Sequence, residues 1–277
     1  MTSGQIIVTG ASGSMGRAAT EALVRCGRPV IMACRNAAKA SAVRDSIIAA
    51  VPGAEVEIMP LHLESFDSVR EFCASLQGRE IAGLFNNAGV IPREYRLTED
   101  GYEESIQVNY LAPMLLTGLL KPVFAEDAAV VNMVSVTCAT AHFGRDILHK
   151  DGHGFHRLGR YATSKLALMF FTIDLSRRGG LRVNAADPGV VDSNMISMGR
   201  WFDPLADKIF RPLCRRPEEG AAPAVAALCS DERGQLFSSR GHCPFPQRFA
   251  SRTADIEWLR EASMKELGML SNSGASV

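Results

Sequence analysis

The chain has 277 residues and no formal net charge at neutral pH, because 30 Lys and Arg side chains balance 30 Asp and Glu side chains. This length suits one large α/β domain with a substantial core, or two small ones. Balanced charge gives no overall field that would attract nucleic acid or an anionic membrane surface, so we expect neither as a partner.

The cysteine content and the hydropathy of the chain predict the cellular compartment of the protein. The seven cysteines are odd in number and include no CxxC pair, which indicates free thiols rather than a disulfide framework. A strand-like apolar run begins at Gln5, which leaves no room for a signal peptide, and no apolar stretch has the length of a membrane span. We therefore expect a cytoplasmic protein.

Short apolar runs alternate with longer segments of helical periodicity. The runs that predict buried strands are Gln5–Thr9, Pro29–Ala33, Glu55–Pro60, Gly83–Asn86, Ala129–Val134 and Leu181–Ala186. The helical segments lie at about 15–26, 37–50, 66–77, 101–125 and 160–178. Continuous apolar strands that alternate with helices are typical of a parallel sheet buried on both faces. We predict a doubly wound α/β fold with a central, mostly parallel sheet flanked by helices.

The pattern loosens after Pro188. Apolar residues spaced among polar ones over 193–216 predict an irregular helical flap. Pro217 followed by two glutamates marks the start of a helix over about 217–229, and residues 253–267 have the pattern of a last amphipathic helix. Because no linker, repeat or low-complexity block interrupts the chain, we predict a single domain of residues 1–277.

A glycine-rich turn, Thr9–Gly16, joins the first predicted strand to the first predicted helix. Glycines there allow a tight turn and let backbone N–H groups approach a pyrophosphate, which the helix N-terminus also attracts. An ordinary glycine-rich connection is the alternative, but a strand before and a helix after favour a dinucleotide site of the Rossmann type. Its predicted contacts are Gly10, Ser12, Gly13, Ser14, Met15 and Gly16.

The end of the second strand predicts the type of dinucleotide. Folds that prefer NAD usually place an acid there for the ribose hydroxyls, whereas an arginine suits a 2′-phosphate. Here Arg35 follows the strand, and no acid is present in Met32–Asn36. A solvated surface arginine is the alternative, but a guanidinium that forks onto phosphate oxygens predicts NADP(H) in preference to NAD(H).

Tyr161 and Lys165 lie four residues apart in a predicted helix and therefore share one face. A phenol ionises near pH ~10, and a neighbouring ammonium stabilises the phenolate. Such a pair is a candidate proton donor or acceptor for a carbonyl or an alcohol. The spacing alone is close to what chance would supply, so the surrounding motifs decide whether it matters.

Taken in order along the chain, the motifs resemble those of the single-domain short-chain dehydrogenases/reductases. They are Thr9-Gly10 with Gly16, Asn86–Gly89, Asn109, Ser135, Tyr161 with Lys165, and Pro188-Gly189. Within this family, the chain resembles the branch of retinol dehydrogenases and protochlorophyllide reductases. This resemblance rests on Val30–Asn36, Arg216–Gly220 and the long spacing from Ser135 to Tyr161. The resemblance implies an NAD(P)-dependent enzyme that acts on a CH–OH or C=O group.

The resemblance also implies catalytic roles. Ser135 would hydrogen-bond the substrate oxygen, and Tyr161 would donate a proton to that oxygen in reduction or remove it in oxidation. Lys165 would lower the pKa of Tyr161 and bind the nicotinamide ribose, while Asn109 would hold a water in a proton relay. Hydride transfer would belong to the nicotinamide.

Further cofactor contacts follow from the same resemblance. On the adenosine side they are His62, Leu63, Asn87, Ala88 and Gly89. On the nicotinamide side they are Tyr161, Lys165, Pro188, Gly189, Val191 and Ser193.

Three features depart from the family pattern. Gly13 and Ser14 are exchanged, so the glycine spacing is closer to that of sugar epimerases. His62 stands where an aspartate usually holds the adenine amino group, and Asp187 places a carboxylate near the nicotinamide pocket.

Two other functions compete with the one implied. The glycine spacing suggests a nucleotide-sugar epimerase-like enzyme, but only about 90 residues follow Pro188, too few for the larger substrate domain that such enzymes usually have. A non-catalytic module that senses NADPH would not require Tyr161. We therefore predict a carbonyl reductase or alcohol dehydrogenase.

The substrate, the metal content and the assembly are predicted more coarsely. Apolar residues within 193–210 would form a lid or simply pack against the sheet end, and a lid indicates a small-molecule carbonyl or alcohol with an apolar body. Retinoid, steroid, quinone or another aldehyde or ketone would fit. The cluster of His149, His153 and His156 predicts a loop rather than a metal site. Helices 101–125 and 160–178 match those that pair across dimers in this family, so we expect a homodimer or homotetramer.

Overall fold

The computed structural model of the protein describes residues 4–148, 155–191 and 215–269. The strands in these ranges are β1 Gln5–Thr9, β2 Val30–Cys34, β3 Val56–Pro60, β4 Ile81–Asn86, β5 Phe124–Met133, β6 Arg182–Ala186, β7 Gln235–Ser238 and β8 Gly241–Pro244. They form one sheet in the order β3-β2-β1-β4-β5-β6-β7-β8. Strands β1 to β7 pair in parallel, and β8 returns antiparallel to β7.

Helices cover both faces of this sheet. Those in the described ranges are α1 Ser14–Arg25, α2 Ala37–Ala50, α3 Phe66–Ala74, α4 Glu104–Ile106, α5 Ala112–Leu119, α6 Arg157–Arg178, α7 Pro217–Cys229, α8 Gln247–Ala250 and α9 Thr253–Glu266. Helices α1, α2 and α7 share one buried apolar cluster with the sheet, and α3, α5, α6 and α9 share the other. The doubly wound α/β prediction is therefore confirmed. None of the described helices is both long enough and apolar enough to cross a membrane.

The strand order reverses between β1 and β4. The chain runs outward from β1 through β2 to β3, and then returns to the other side of β1 to place β4 there. The helices that follow β1 and β4 leave on opposite faces, so a crevice opens at the carboxyl ends of these two strands. Thr9 and Asn86 end the strands on either side of it.

The sequence predicts one continuous helix over residues 101–125, and this prediction is wrong. The structure divides it into α4, a π-helical turn at Gln107–Leu111, α5, and a 3₁₀ turn at Lys121–Val123, after which β5 begins at Phe124. Pro122 lies within the 3₁₀ turn, where its ring prevents the helix from continuing. The π-helical turn has no local sequence signal and accommodates one extra residue around Asn109.

The β7–β8 hairpin was not predicted at all. Its strands have four residues each, and every residue of β8 is exposed, so neither strand shows the apolar pattern on which a sequence prediction depends. The flap predicted at 193–216 lies outside the described residues except for Arg215 and Arg216. The single-domain assignment stays a prediction.

Helix α9 covers the helices that were predicted to pair across dimers. The hydroxyl groups of Tyr110 and Ser263 are 2.7 Å apart, and Tyr102 hydrogen-bonds Glu266. Ile256 and Leu259 are buried in the same cluster as α5 and α6. Helix α9 thus packs against segments of both predicted helices, and the predicted assembly stays untested.

The turn from β1 to α1 depends on two of its three glycines. Gly10 has a φ of 64°, in the left-handed region that side chains disfavour. A Cβ on Gly16 would lie 2.5 Å from the carbonyl oxygen of Gly10 and 2.7 Å from the Cα of Ala11. Gly13 is different, because its φ is −79° and its nearest obstacle would be 3.3 Å away.

We expect Gly16→Ala to destabilise the protein and Gly13→Ala to be tolerated. The methyl group at position 16 meets backbone atoms that cannot move aside, which should cost about 1–3 kcal/mol. At position 13 the change should cost about 1 kcal/mol or less, since only the N-cap preference for glycine over alanine is lost. Urea unfolding of the two variants measures the difference. Equal losses would contradict this account of the turn.

Candidate functional site

A cleft of about 490 Å³ opens at the crevice between β1 and β4. Its walls contain most of the predicted cofactor contacts, namely Gly10, Ser12, Gly13, Ser14, Met15, Gly16, Arg35, Leu63, Asn87, Ala88 and Gly89. Residues that the sequence reasoning missed also line it, namely Ala33, Asn36, Lys39, Leu61, Glu64, Val90 and Val108. His62 is not among the lining residues, and Ser193 lies outside the described residues.

Thr9 and Asn87 fix the floor of the cleft. The Thr9 hydroxyl accepts hydrogen bonds from the backbone N–H groups of Asn87 and Ala88, each at 3.0 Å. In return, the Asn87 side-chain amide donates to the Thr9 carbonyl at 2.8 Å. Among the described residues, the Asn87 side-chain oxygen is buried without a hydrogen-bond donor. The glycine cradle and this unpaired acceptor both fit a dinucleotide, which supplies donors and a pyrophosphate.

Two cations lie at the adenosine end of the cleft. The Arg35 side chain is 66% exposed and contacts Glu64 at 3.1 Å, a surface pair that contributes little stability. Lys39 lies in the first turn of α2, where its backbone N–H donates to the Asn36 side chain at 2.8 Å. The position of Lys39 one turn after the β2 end is the signal that could have identified it. His62 lies 3.9 Å from the same Glu64 oxygen that Arg35 contacts.

Lys165 is deeply buried beneath the cleft. Its ammonium donates to the carbonyl of Met133, at the end of β5, at 2.8 Å, and only 2% of the residue is exposed. Burial lowers the pKa of Lys165 to about 8 because the charged form loses its hydration. The ammonium lies 5.9 Å from the centre of the Tyr161 ring, so α6 brings the two predicted residues together.

Tyr161 has a raised pKa, in contrast to the lowering that the resemblance implies. Burial raises it to about 12, and a hydrogen bond from the Ser135 hydroxyl opposes part of that shift. Cys138 and Asp187 raise it further through their negative charges when ionised. Desolvation is therefore the dominant effect on the Tyr161 pKa, and the other causes change it less.

Ser135 begins a 3₁₀ turn directly after β5. Its hydroxyl oxygen accepts from the backbone N–H of Thr137 at 3.2 Å and from the Thr137 hydroxyl at 3.0 Å. These contacts orient the Ser135 hydroxyl, which lies near enough to Tyr161 to oppose the rise in the pKa of its phenol. A hydroxyl group that follows β5 and one on α6 are thus neighbours, and a carbonyl or alcohol oxygen could accept from both.

The side chain of Asn109 is used to hold neighbouring segments. Its oxygen accepts from the Val90 N–H at 2.8 Å, and its amide donates to the Val90 carbonyl and to the Ser164 hydroxyl, each at 3.0 Å. The π-helical turn places this fully buried side chain between the cleft wall and α6. The implied water relay stays a prediction.

Gly89 lies between the cleft and two of the predicted catalytic residues. A Cβ at this position would lie 3.3 Å from the Lys165 nitrogen and 3.3 Å from the Asn109 side-chain oxygen. The missing side chain lets the loop after β4 approach Lys165 closely. A ligand in the cleft would therefore be adjacent to the Tyr161–Lys165 pair.

The residues after β6 are not among those that line the cleft. Gly189 has a φ of 69°, and its N–H donates to the Asp187 carboxylate at 2.9 Å. Val191 pairs with Arg215 in a parallel bridge and packs over Gly220 of α7. Pro188, Gly189 and Val191 are thus beside the carboxyl end of β6, apart from the nucleotide cleft.

The histidine cluster is described only in part. His156 caps the N-terminus of α6, where its Nδ1 accepts from the Gly159 N–H at 3.1 Å, and His149 and His153 lie outside the described residues. Across the described ranges, no three His, Cys, Asp or Glu side chains are grouped as metal ligands would be.

Comparison with known proteins supports a family assignment. The short chain dehydrogenase family model matches residues 5–200. Human retinol dehydrogenase 13 is 32% identical over 276 residues, which cover 94% of this chain and 83% of that protein. Mouse polyprenol dehydrogenase is 36% identical over 239 residues, which cover 82% of this chain and 71% of that protein.

A solved structure supports the same overall fold. A protein from Mycobacterium paratuberculosis matches with a TM-score of 0.77 and 27% identity, covering 95% of this chain and 93% of that one. These matches confirm the resemblance predicted from the motifs. The chain belongs to the short-chain dehydrogenase family and is an NAD(P)-dependent oxidoreductase.

Proposed function

We propose that the protein interconverts a carbonyl and an alcohol with NADP(H), using Tyr161 as the acid and base. One observation supports this most strongly. Helix α6 places the Lys165 ammonium 5.9 Å from the centre of the Tyr161 ring, and Lys165 also lies beside the Gly89 position that lines the cleft. A proton donor and a dinucleotide site are therefore adjacent.

Each residue of the site has a separate role in the proposed reaction. When bound, the nicotinamide supplies or accepts the hydride. Ser135 and Tyr161 hydrogen-bond the substrate oxygen, and Tyr161 passes its proton to that oxygen as negative charge develops. A phenol with a pKa of about 12 is protonated at neutral pH, so the structure is prepared for reduction. In oxidation Tyr161 must first lose its proton before it can accept one from the alcohol.

The preference for NADP(H) rests on the cleft's outer end. Arg35 and Lys39 are cations at its rim, and no acid follows β2 directly to bind free ribose hydroxyls. A 2′-phosphate would compete with Glu64 for the Arg35 guanidinium. Because the Arg35–Glu64 pair is exposed and weak, a phosphate with two charges would displace it.

The proposed substrate has an apolar body. The names of the two relatives, retinol dehydrogenase and polyprenol dehydrogenase, specify alcohols with long hydrocarbon chains. The apolar composition of the predicted lid supports the same class for this chain. We extend to this chain only the class, an alcohol or carbonyl attached to an apolar group.

The competing functions make different predictions in one experiment. NADPH and NADH are titrated by fluorescence, and aldehydes, ketones and quinones are then screened for oxidation of the cofactor that binds. Tight NADPH binding without turnover of any compound would favour the sensing module. Conversion of a nucleotide sugar without net change of the cofactor would favour the epimerase-like enzyme.

The assembly and location stay proposals. A homodimer or homotetramer remains our expectation, formed through the two helices over which α9 also packs. A cytoplasmic location rests on the sequence reasoning alone. Light scattering of the full chain measures the assembly directly.

We expect Tyr161→Phe to lower kcat about 10²–10⁴-fold, because the proton that neutralises the substrate oxygen is lost. NADPH affinity should change little, since the ring remains. Tyr102→Phe is the matched control. It removes a hydrogen bond to Glu266, and neither residue lines the cleft, so it should lower stability and leave kcat unchanged. Turnover that survives Tyr161→Phe would remove this residue as the acid.

We expect Arg35→Ala to weaken NADPH binding about tenfold or more and NADH binding little, because only NADPH has the 2′-phosphate that Arg35 would bind. Glu64→Gln should strengthen NADPH binding, since it removes the carboxylate that competes with the 2′-phosphate for Arg35. Fluorescence titration of both cofactors measures the two variants. Equal losses for NADPH and NADH in Arg35→Ala would contradict the proposed preference.

We expect Lys165→Met to abolish turnover and yet stabilise the fold near pH 7. The folded pKa of about 8 lies below the ordinary value of 10.5, so between these pH values the unfolded chain binds more protons and stability rises with pH. Below pH 8 the buried charge costs at most about 3 kcal/mol, partly offset by the bond to Met133. Urea unfolding should show a gain for the variant at pH 7 that disappears towards pH 10. The same pH dependence of the free energy of unfolding in the wild type and in Lys165→Met would contradict the buried charge.

A further inference from the structure

Two buried hydroxyl groups that are distant in sequence form a hydrogen bond that the mechanism above does not use. The side-chain oxygens of Tyr110 and Ser263 are 2.7 Å apart, and each residue is at most 1% exposed. Tyr110 belongs to the π-helical turn at Gln107–Leu111, and Ser263 lies on α9. Burial raises the pKa of Tyr110, so the phenol stays protonated over the physiological range. This hydrogen bond therefore joins the last described helix to the turn that contains Asn109.

The π-helical turn is held from more than one side. A π-helical turn adds one residue to a helix, and such turns are frequent at functional sites. Its first residue, Gln107, donates to the Asp100 carboxylate at 2.6 Å. Asn109 bonds towards the loop after β4 and towards α6, whereas the next residue, Tyr110, bonds towards α9. Because the sequence has no local signal for this turn, these contacts with distant segments determine where it lies.

Asn109 connects the turn to the proposed catalytic groups. Its side chain makes two hydrogen bonds with the backbone of Val90, at 2.8 and 3.0 Å, beside Gly89 of the cleft. Its amide also donates to the Ser164 hydroxyl at 3.0 Å, and that hydroxyl donates to the Tyr161 carbonyl at 2.7 Å. A displacement of Asn109 would therefore break bonds to the loop after β4, to the Tyr161 turn of α6, or to both.

We propose that Tyr110 and Ser263 are positioning residues for the proposed reaction. Their hydrogen bond anchors the π-helical turn to α9 and so holds Asn109 where it bonds to the loop after β4 and to α6 at once. Neither hydroxyl touches the substrate or the cofactor in this proposal. It rests on the proposed function, because its effect on turnover requires that Tyr161 and Lys165 act in the reaction.

Tyr110→Phe and Ser263→Ala each remove one of the two hydroxyl groups. We expect either change to lower kcat about 10–100-fold, because a small displacement of groups around the reacting atoms is enough for a loss of that size. NADPH affinity should change little, since the glycine turn that would hold the pyrophosphate is untouched. Tyr102→Phe is the matched control, because it removes a tyrosine hydroxyl bonded to Glu266 of the same helix and should leave kcat unchanged. A wild-type kcat in both Tyr110→Phe and Ser263→Ala would overturn the proposal.

The double variant Tyr110→Phe with Ser263→Ala separates positioning from a merely structural role. Each single variant leaves a buried hydroxyl without this partner, so the midpoint of urea unfolding should fall. The double variant removes both hydroxyl groups, and its midpoint should recover most of that loss. Its kcat should stay low, because the π-helical turn still lacks its bond to α9. Recovery of kcat together with stability would mean that the bond is structural only, and the proposal would be wrong.

The connection through Asn109 has its own test. Asn109→Ala removes the bonds to the loop after β4 and to α6, so it should itself lower kcat. Addition of Tyr110→Phe to Asn109→Ala should lower kcat no further, since Tyr110 then holds a turn that no longer contacts the site through this side chain. A further fall as large as the one that Tyr110→Phe causes alone would contradict the connection.

A last readout does not depend on turnover. The Val90 N–H donates to the Asn109 side chain, so the hydrogen exchange of Val90 reports whether Asn109 is in place. We expect faster exchange at Val90 in Ser263→Ala than in the wild type and in Tyr102→Phe. Unchanged exchange would overturn the positioning effect. Failure of the proposed function is recognised separately, as normal turnover by Tyr161→Phe, and it leaves the exchange result intact.

Discussion

The buried ammonium of Lys165 is the constraint on which the site depends. A charge at this depth is costly unless it has a hydrogen-bond acceptor, and the Met133 carbonyl at the end of β5 provides one. The same position requires Gly89 to lack a side chain, since a Cβ there would crowd both Lys165 and Asn109. The Lys165 side chain therefore links α6 to the end of β5 and lies against the loop after β4. The burial of its charge lowers the stability of the fold.

Burial shifts the pKa values of the two proposed catalytic residues, Lys165 and Tyr161, in opposite directions. It lowers the pKa of Lys165 to about 8 and raises that of Tyr161 to about 12, because each charged form loses hydration. The phenol thus stays protonated over the whole physiological range. Ser135 opposes this shift and Asp187 adds to it, so groups that follow two different strands, β5 and β6, act on the pKa of Tyr161.

Local sequence signals predicted the parts of this site that backbone geometry dictates. The glycine turn, the Tyr161–Lys165 spacing and the strand–helix alternation each depend on residues close in sequence. What could not be predicted depends on contacts between distant segments. The π-helical turn at Asn109 follows from its bonds to Val90 and Ser164, and the pairing of Arg35 with Glu64 follows from the approach of β2 to the loop after β3.

The unusual glycine spacing carries less functional information than the sequence suggested. Gly13 is an N-cap residue with an ordinary φ, and a methyl group there would meet only one atom, at 3.3 Å. Gly10 and Gly16 are the positions at which the backbone is left-handed or packed against other backbone atoms. An exchange of Gly13 and Ser14 therefore leaves both constrained positions intact. Because the constrained pair is retained, the spacing alone does not favour an epimerase-like enzyme over a dehydrogenase.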